Sequence, residues 1–267
     1  MSPLFRRAAG ALACLWALPG IALAAPDAPT ARVFVPVAQP GRALGADWAR
    51  LACRLLPQPC DPDTLAAYRA RGQDAASMQV EVLAARPLAW ATLRREGADG
   101  PWVRVSLHDF TGYAHRMEDT TDGVPRLAPA LYPLGADRWA VAIVAGSSES
   151  YSGGGARFEW ADFVPLAPDG KAAAPVHAGV PFSCSKMVRA CFSEKDYATS
   201  PHCHDESSGS LRIRYAPPAR PGGELAWRFA WQQGEWPASR ARPLPAGAAV
   251  PFVPGRGAGP AFCGGPQ

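Results

Sequence analysis

Lysine and dense basic clusters are scarce in this sequence. Only three of the 27 basic residues are lysines, no run of five or more basic residues occurs, and the formal net charge is +4. This pattern argues against nucleic acid and acidic membrane surfaces as partners. The sequence also lacks a continuous apolar run of ~20 residues, the length that a membrane-spanning helix needs, which argues against a transmembrane span.

The first two dozen residues have the pattern of a secretory signal peptide. Two arginines precede an apolar run over residues 8–18, and the small-x-small sequence Ala22-Leu23-Ala24 follows. We therefore expect a signal peptide over residues 1–24 that directs the general secretory route. Cleavage between Ala24 and Ala25 would leave the mature protein in the periplasm or outside the cell.

The cysteine content points to disulfides. Outside residues 1–24 the sequence has six cysteines: Cys53, Cys60, Cys184, Cys191, Cys203 and Cys263. An even number of cysteines in an exported chain predicts three bridges. After the signal peptide, we expect an N-terminal extension with a helix-turn-helix over residues 25–77 and one antiparallel β domain over residues 78–267.

Cys53 and Cys60 are predicted to bond to each other. Within one helix their Cα atoms would lie ~10.5 Å apart along the axis, beyond the ~7 Å limit for a disulfide. Pro57 and Pro59 remove this objection, because they end the first helix and turn the chain back. Asp61 has the character of an N-cap and predicts a second helix that ends near residue 72.

Cys184 and Cys191 have the same spacing without an intervening proline. Residues 185–189 between them suggest a helical turn, in which the same distance argument disfavours a direct bridge. We therefore expect these two cysteines to bond to Cys203 and Cys263, in an order that the spacing leaves open. A bridge to Cys263 would hold the Gly- and Pro-rich C-terminal tail.

From Val80 onward, apolar and polar residues alternate, which is the pattern of strands with one buried face. The clearest example is a predicted hairpin whose second strand carries Trp227, Phe229 and Trp231 on its inner face. These aromatics either fill the core, which we favour, or line a carbohydrate or lipid cavity. Because no βαβ rhythm is present, the sequence predicts a mainly β fold: an antiparallel β-sandwich or barrel with a short N-terminal helical segment, stapled by disulfides.

The segment around Cys203 is a candidate metal site. In a strand, His202 and His204 would project to the same face and could supply two nitrogen ligands to zinc or copper, with Asp205 or Glu206 adding an oxygen. The alternative is a polar loop held by a disulfide at Cys203, whose sulfur could then not act as a thiolate ligand. We expect no cofactor, with the zinc or copper site as the alternative.

A long polar connection over residues 108–119 follows a predicted strand. It contains His108, His115 and acidic residues, which are the side-chain types of general acid–base catalysis. A metal-dependent hydrolase would need these two histidines to converge with His202 and His204. A solvated loop rich in turn-forming residues explains the composition equally well.

The Gly- and Ser-rich residues 146–156 lie between two predicted strands. They lack both the Gly-x-Ser-x-Gly spacing of a nucleophile elbow and the following helix that a phosphate site needs. We expect a hairpin loop, with contact to a ligand or protein partner as the alternative. The residues of that partner-binding loop would be Ser152, Gly153, Gly154, Gly155 and Arg157.

The sequence Ser152-Gly153-Gly154-Gly155-Ala156-Arg157-Phe158 resembles the Ser-Gly-x-Arg-Tyr loop of periplasmic lysozyme inhibitors. It contains two extra glycines, and the second motif of that family is not recognisable. The resemblance implies a small β-barrel that inserts a protruding rigid loop, here near residues 153–155, into the active cleft of a hydrolase.

No motif in the sequence specifies a named reaction, and export is predicted. These two observations favour a non-enzymatic, exported β-rich protein that binds an envelope component or a protein partner through its loops. The alternatives are a metal-dependent hydrolase that uses His, Asp and Glu side chains from loops, and a hydrolase inhibitor or immunity-type protein. The sequence leaves the identity of the partner and the oligomeric state open.

Overall fold

A computed structural model of the chain describes residues 29–73, 79–97, 100–116, 122–218, 220, 222–255 and 262–264. The predicted signal peptide lies outside the described residues, so its cleavage stays a prediction. Within these ranges, no helix is both long enough and apolar enough to cross a membrane.

The described residues form twelve strands, three short helices and two 3-10 turns. The strands are β1 (Arg32–Pro36), β2 (Leu65–Ala70), β3 (Gln79–Ala85), β4 (Leu88–Arg95), β5 (Trp102–Asp109), β6 (Arg126–Gly135), β7 (Arg138–Tyr151), β8 (Gly154–Pro165), β9 (His177–Arg189), β10 (His204–Ala216), β11 (Ala226–Trp236) and β12 (Val250–Phe252). The helices are α1 (Pro40–Leu44), α2 (Trp48–Cys53) and α3 (Glu194–Thr199). The 3-10 turns are Pro62–Thr64 and Phe262–Gly264.

One antiparallel sheet contains all twelve strands, in the order β12-β11-β10-β9-β8-β7-β6-β1-β2-β3-β4-β5. Strand β1 pairs with β2 on one side and with β6 on the other. Two meanders, β2–β5 and β6–β12, therefore extend from β1 in opposite directions. The sheet is not closed, and the predicted mainly antiparallel β class is confirmed.

The two meanders pack against each other around β1. Phe34 of β1 lies edge-on to Trp90 of β4, with 5.4 Å between ring centroids. Val141 and Ile143 of β7 belong to the same buried apolar cluster. The sheet therefore bends at β1, because apolar side chains of both meanders leave water only when the two halves meet.

Helices α1 and α2 cover the other face of the β2–β5 meander, where Trp48 packs against buried residues such as Val82 and Leu93. The second helix predicted for this region is wrong, because Leu65–Ala70 is strand β2 and pairs with β1 and β3. Asp61 accepts a hydrogen bond from the Asp63 N–H and caps only the short 3-10 turn. Strand partners on both sides satisfy the β2 backbone, which outweighs a local helical preference.

Residues 25–77 thus contribute β1 and β2 to the same sheet as the later strands. The predicted boundary between an N-terminal extension and a β domain 78–267 stays a prediction.

All six predicted disulfide cysteines are bonded. The pairs are Cys53–Cys60, Cys184–Cys263 and Cys191–Cys203. The first bridge was specified by the proline argument, and the other two resolve the order that spacing left open. The helical turn expected over residues 185–189 is wrong, since these residues belong to β9. Each residue from Cys184 to Arg189 advances ~3.3 Å in the strand, more than the ~1.5 Å of a helix, so a direct bridge from Cys184 to Cys191 is still disfavoured.

The predicted aromatic hairpin is β10–β11, which pairs Leu211 with Trp231 and Tyr215 with Trp227. Trp227 lies edge-on to Phe163 of β8, with 5.0 Å between ring centroids, and Phe229 is buried in the same cluster. The aromatic face therefore fills the core of the β6–β12 meander.

Candidate binding groove

Five adjacent strands, β7 to β11, carry mainly small and polar side chains on one face. Their pairing registers are uninterrupted over the residues concerned, so opposite residues can be read directly across the strands. The middle row is Ser148, Arg157, Ser185, Ser208 and Gly234. The rows beside it are Gly146, Glu159, Ser183, Ser210 and Gln232, and Ser150, Gly155, Met187, Glu206 and Trp236. We call these three rows the serine face.

The opposite face of the same strands is apolar and packed. Phe158, Cys184 and Trp231 are buried there. The ring of Phe262 covers them, with its centroid 5.4 Å from the rings of both Phe158 and Trp231, and the Cys184–Cys263 bridge holds this cover in place. Because successive side chains of a strand point to opposite faces, burial of this face directs the serine face away from the core.

A groove of about 790 Å³ lies along the serine face. One wall is the segment over residues 243–246, which is attached to β11 by a hydrogen bond of 2.8 Å from the Leu244 N–H to the Glu235 carbonyl. A polar pocket of about 250 Å³ shares Ser148 and Arg157 with the groove. A second small pocket of about 290 Å³ shares Ser208. The depression therefore crosses all five strands.

The floor of the groove presents free hydroxyl groups. Ser148, Ser185 and Ser208 are exposed, and their hydroxyls have no hydrogen-bond partner in the part of the chain that the structure describes. Glycines keep the floor low between them: a Cβ at Gly155 would lie 3.1 Å from the Glu149 carbonyl oxygen, and one at Gly234 would lie 3.2 Å from the Ser208 hydroxyl. Exposed, unpartnered hydroxyls are available to donate and accept hydrogen bonds to a ligand.

A charged cluster lies at the β7–β8 end of the groove. Arg126 donates to both carboxylate oxygens of Glu159 at 3.0 and 2.9 Å, Arg157 donates at 3.1 Å, and the Ser183 hydroxyl donates at 2.6 Å. Burial alone raises the pKa of Glu159, but the hydrogen bonds from Ser183 and Arg126, the Arg126 charge and the hydrogen bond from Arg157 outweigh it. The pKa of Glu159 is therefore held below its usual range, so this carboxyl is ionised and paired at neutral pH.

Trp236 lies at the other end of the groove. Its ring packs against His202, with 4.3 Å between ring centroids, and its indole N–H donates to the Arg240 carbonyl at 2.8 Å. His202 is fixed in turn by a 3.1 Å contact between its Nε2 atom and the Pro237 carbonyl oxygen. The indole is therefore held in one position, as an aromatic surface beside the serine rows.

The predicted partner-binding loop is the tight end of the β7–β8 hairpin, and only Ser152 and Gly153 lie between the two strands. It does not protrude freely, because Gly154 pairs with Val188 of β9 and the Arg189 N–H donates to the Gly153 carbonyl at 2.7 Å. A Cβ at Gly154 would overlap the Met187 carbonyl oxygen, which explains the glycine there. Of the five predicted loop residues, Gly154, Gly155 and Arg157 line the groove.

The three predicted metal ligands have other contacts. His202 packs on Trp236, His204 is the first residue of β10 rather than a partner of His202 in a strand, and the Asp205 carboxylate accepts a hydrogen bond from the Ala238 N–H at 2.8 Å. No group of three or more His, Cys, Asp or Glu side chains that could hold a metal ion exists among the described residues. The zinc or copper site stays a prediction that this geometry does not support.

The polar connection after β5, a predicted candidate for catalysis, packs against the core in its described part, residues 108–116. Phe110 is buried, and the fully buried carboxylate of Asp162 accepts hydrogen bonds from the Tyr113 hydroxyl at 3.1 Å and the Arg116 N–H at 2.8 Å. The ring of His115 is buried beside it, with its Nε2 atom 3.1 Å from the Ile143 carbonyl oxygen. His108 lies in β5, where burial lowers its pKa. Of the acids in this candidate, Asp109 accepts a hydrogen bond from the Thr111 N–H at 2.8 Å, and Glu118 and Asp119 lie outside the described residues.

The sequence motifs did not predict the serine face as a site. A signal was present, because β9 and β10 each carry serines two residues apart, at positions 183 and 185 and at 208 and 210. This spacing places both serines on one face of a strand. Only the registers between strands join these pairs into one surface, and a single sequence does not specify them.

No protein-family model matches the chain, and no curated protein or solved structure is significantly similar to it.

Proposed function

We propose that this chain is an exported, non-enzymatic binding protein that holds an envelope component in the groove over the serine face. The observation that carries the proposal is a depression of about 790 Å³ across five strands, in which no described residue is hydrogen-bonded to the hydroxyls of Ser148, Ser185 and Ser208. Concave sites with a few fixed polar groups are typical of ligand binding. The three disulfides support export, because such bridges persist in oxidising compartments.

The chemistry of the groove supports binding rather than catalysis. A serine nucleophile needs an adjacent base, and no histidine is among the described residues that line the groove. The Glu159 carboxylate at one end is paired with Arg126 and Arg157, and its lowered pKa makes it a poor general acid at neutral pH. The serine hydroxyls that line the groove are suited to hydrogen bonding with a bound molecule.

The binding surface proposed here is the sheet face rather than the loops. The end of the β7–β8 hairpin is paired with β9 and has no free backbone ladder to offer. By contrast, the serine face is formed by strands whose opposite side carries the buried cluster of Phe158, Cys184 and Trp231, so its groups are preorganised.

Native mass spectrometry of the chain, expressed with its own N-terminus and recovered from the periplasm of the organism that encodes it, tests the proposal. We expect a mass that begins at Ala25, lacks six hydrogens because of three disulfides, and includes a bound component. Ser185→Arg places a long side chain in the middle of the groove and should remove the bound mass. Val105→Arg is the matched control, because Val105 is 55% exposed on the edge strand β5 of the other meander.

Two results would overturn the proposal. One is an uncleaved chain found in the cytosol, which removes the export. The other is a protein without any bound component, or a bound mass that is still present in Ser185→Arg. Either result would mean that no component is held in the groove.

A further inference from the structure

We infer that the groove over the serine face binds an uncharged oligosaccharide that lies across strands β7 to β11. This inference rests on the proposed function and names the chemical class of its ligand. It follows from three properties of the serine face: the type of its polar groups, the balance of its charges and the fixed indole at one end.

Hydroxyl groups dominate the polar chemistry of the floor. Ser148, Ser185 and Ser208 stand in one row, on strands that are ~4.8 Å apart where they are adjacent, and Arg157 stands between the first two. A serine hydroxyl both donates and accepts a hydrogen bond, as does each hydroxyl of a sugar. A row of such groups therefore suits a chain of linked sugars, which offers hydroxyls repeatedly along its length.

The charges on the serine face are balanced. Arg157 and Glu206 project from it, and the Glu159 carboxylate is neutralised by Arg157 together with Arg126. Of the described residues that line the groove, the cations are Arg157 and Lys186 and the acids are Glu149, Glu206 and Glu235. No row of cations therefore faces a ligand there, which argues against a polymer with repeated negative charge.

Trp236 supplies an apolar surface beside these polar rows. Its indole is held by His202 on one side and by the hydrogen bond to the Arg240 carbonyl. Pyranose rings carry C–H groups on one face and hydroxyls at the edge, so a sugar can pack on an indole while its hydroxyls bond to serines. A fixed indole makes this contact without the entropic cost of ordering a mobile side chain.

An extended peptide is the competing class of ligand. Peptides usually bind to sheets by adding a strand to an open edge, where backbone groups are free. In this part of the sheet, β8, β9 and β10 are paired on both sides, so the serine face offers side chains rather than a backbone ladder. This observation favours the saccharide.

The test is the chemical identity of the material released from the purified, full-length protein by denaturation. Acid hydrolysis and monosaccharide analysis should find neutral sugar in at least equimolar amount to the protein. The amount should fall at least tenfold in Trp236→Ala and in Ser185→Arg. Trp236→Phe should keep at least a third of it, because an aromatic ring remains.

Each outcome decides between the proposals. Released material that is peptide, lipid or a charged polymer, and that Ser185→Arg removes, would overturn the saccharide inference and leave the proposed function standing. A bare protein, or material that Ser185→Arg does not affect, would overturn both. Equal sugar content in Trp236→Ala and in wild type, with both proteins folded by circular dichroism, would overturn the role of the indole and with it this inference.

Discussion

Strands β8 to β11 carry two faces of opposite character. On one face, Phe158, Cys184 and Trp231 are buried beneath Phe262. On the other, Ser185 and Ser208 are exposed, with nothing among the described residues bonded to their hydroxyls. The same backbone therefore supports a packed core layer and an open polar surface.

This difference indicates which face of these strands contributes most to the stability of the molecule. The packed face removes apolar area from water, which is the main favourable contribution to folding. The exposed serines of the other face contribute little apolar burial, so their hydroxyls are available for the binding proposed above. Substitutions on the two faces should consequently separate loss of stability from loss of function.

The largest expected loss of stability comes from removing the Cys184–Cys263 bridge, which holds Phe262 over the buried face of β8 to β11. Replacing Cys184 and Cys263 together by alanine opens a loop of 79 residues, which should lower the free energy of unfolding by ~4.5 kcal/mol. Removing Cys53 and Cys60 opens a loop of only 7 residues and should cost ~2 kcal/mol. Urea unfolding of the oxidised proteins measures both values, and equal losses would contradict the comparison.

Phe262→Ala should have the next largest effect. Phe262 is 7% exposed, and its ring contacts the rings of Phe158, Trp160 and Trp231. Truncation leaves a cavity in this layer and should cost ~3 kcal/mol in chemical unfolding. Phe192→Ala is the control, because Phe192 is 74% exposed and its truncation should change stability by less than ~0.5 kcal/mol. A loss below ~1 kcal/mol for Phe262→Ala would mean that the Phe262 ring contributes little to the free energy of unfolding.

Gly209→Ala tests how tightly the packed face is filled. A Cβ at this position would overlap the Trp231 ring and lie 2.8 Å from the Cys184 sulfur. Because Trp231 is buried and cannot move freely, the overpacking should lower the thermal midpoint, at a cost of ~2 kcal/mol. An unchanged midpoint would show that this layer has spare volume.

Glu159→Gln should have a smaller effect, which depends on pH. Hydrogen bonds from Ser183 and Arg126, with the Arg126 charge, keep the pKa of Glu159 below its usual range despite the opposing effect of burial. A carboxyl whose pKa is lowered by folding stabilises the protein above its unfolded-state pKa of ~4.3, and loses that contribution as the pH falls through the folded-state value.

We therefore expect wild type to be more stable than Glu159→Gln by ~1 kcal/mol at pH 7, with the difference shrinking as the pH falls from 7 through ~4.3 and below. Urea unfolding across this pH range measures it. A difference that grows toward low pH would contradict the assignment.

The smallest effect is expected next to Gly209. Ser208→Ala changes a residue on the opposite, open face of β10 and should alter the free energy of unfolding by no more than ~0.5 kcal/mol. A loss close to that of Gly209→Ala would show that the serine face also contributes to the packed structure.

Much of the strand content was visible in the alternation of apolar and polar residues, and the Leu211–Trp231 hairpin was predicted with its inner face correct. The helix predicted after Asp61 failed, because capping is a local signal while β2 is determined by its neighbours β1 and β3. The helical turn predicted after Cys184 failed for the same reason, since β9 pairs with both β8 and β10.

The candidate site was less predictable than the fold. The sequence predicted candidate sites at histidines and acids, because these residue types are common in catalytic and metal sites. In the structure, His115 packs beside the buried Asp162 and His202 packs on Trp236. The serines that line the groove are individually unremarkable. Their significance depends on residues from five strands standing opposite one another.

The sequence by itself determined which residues alternate, that its six cysteines outside the predicted signal peptide can pair, and that the class is antiparallel β. These properties depend on local spacing, which a single chain displays directly. Only the tertiary structure decided the strand registers, the cover of Phe262 over one face, and hence which alternate residues form the open serine face. These depend on contacts between residues far apart in sequence, where burial of one face fixes the orientation of the other.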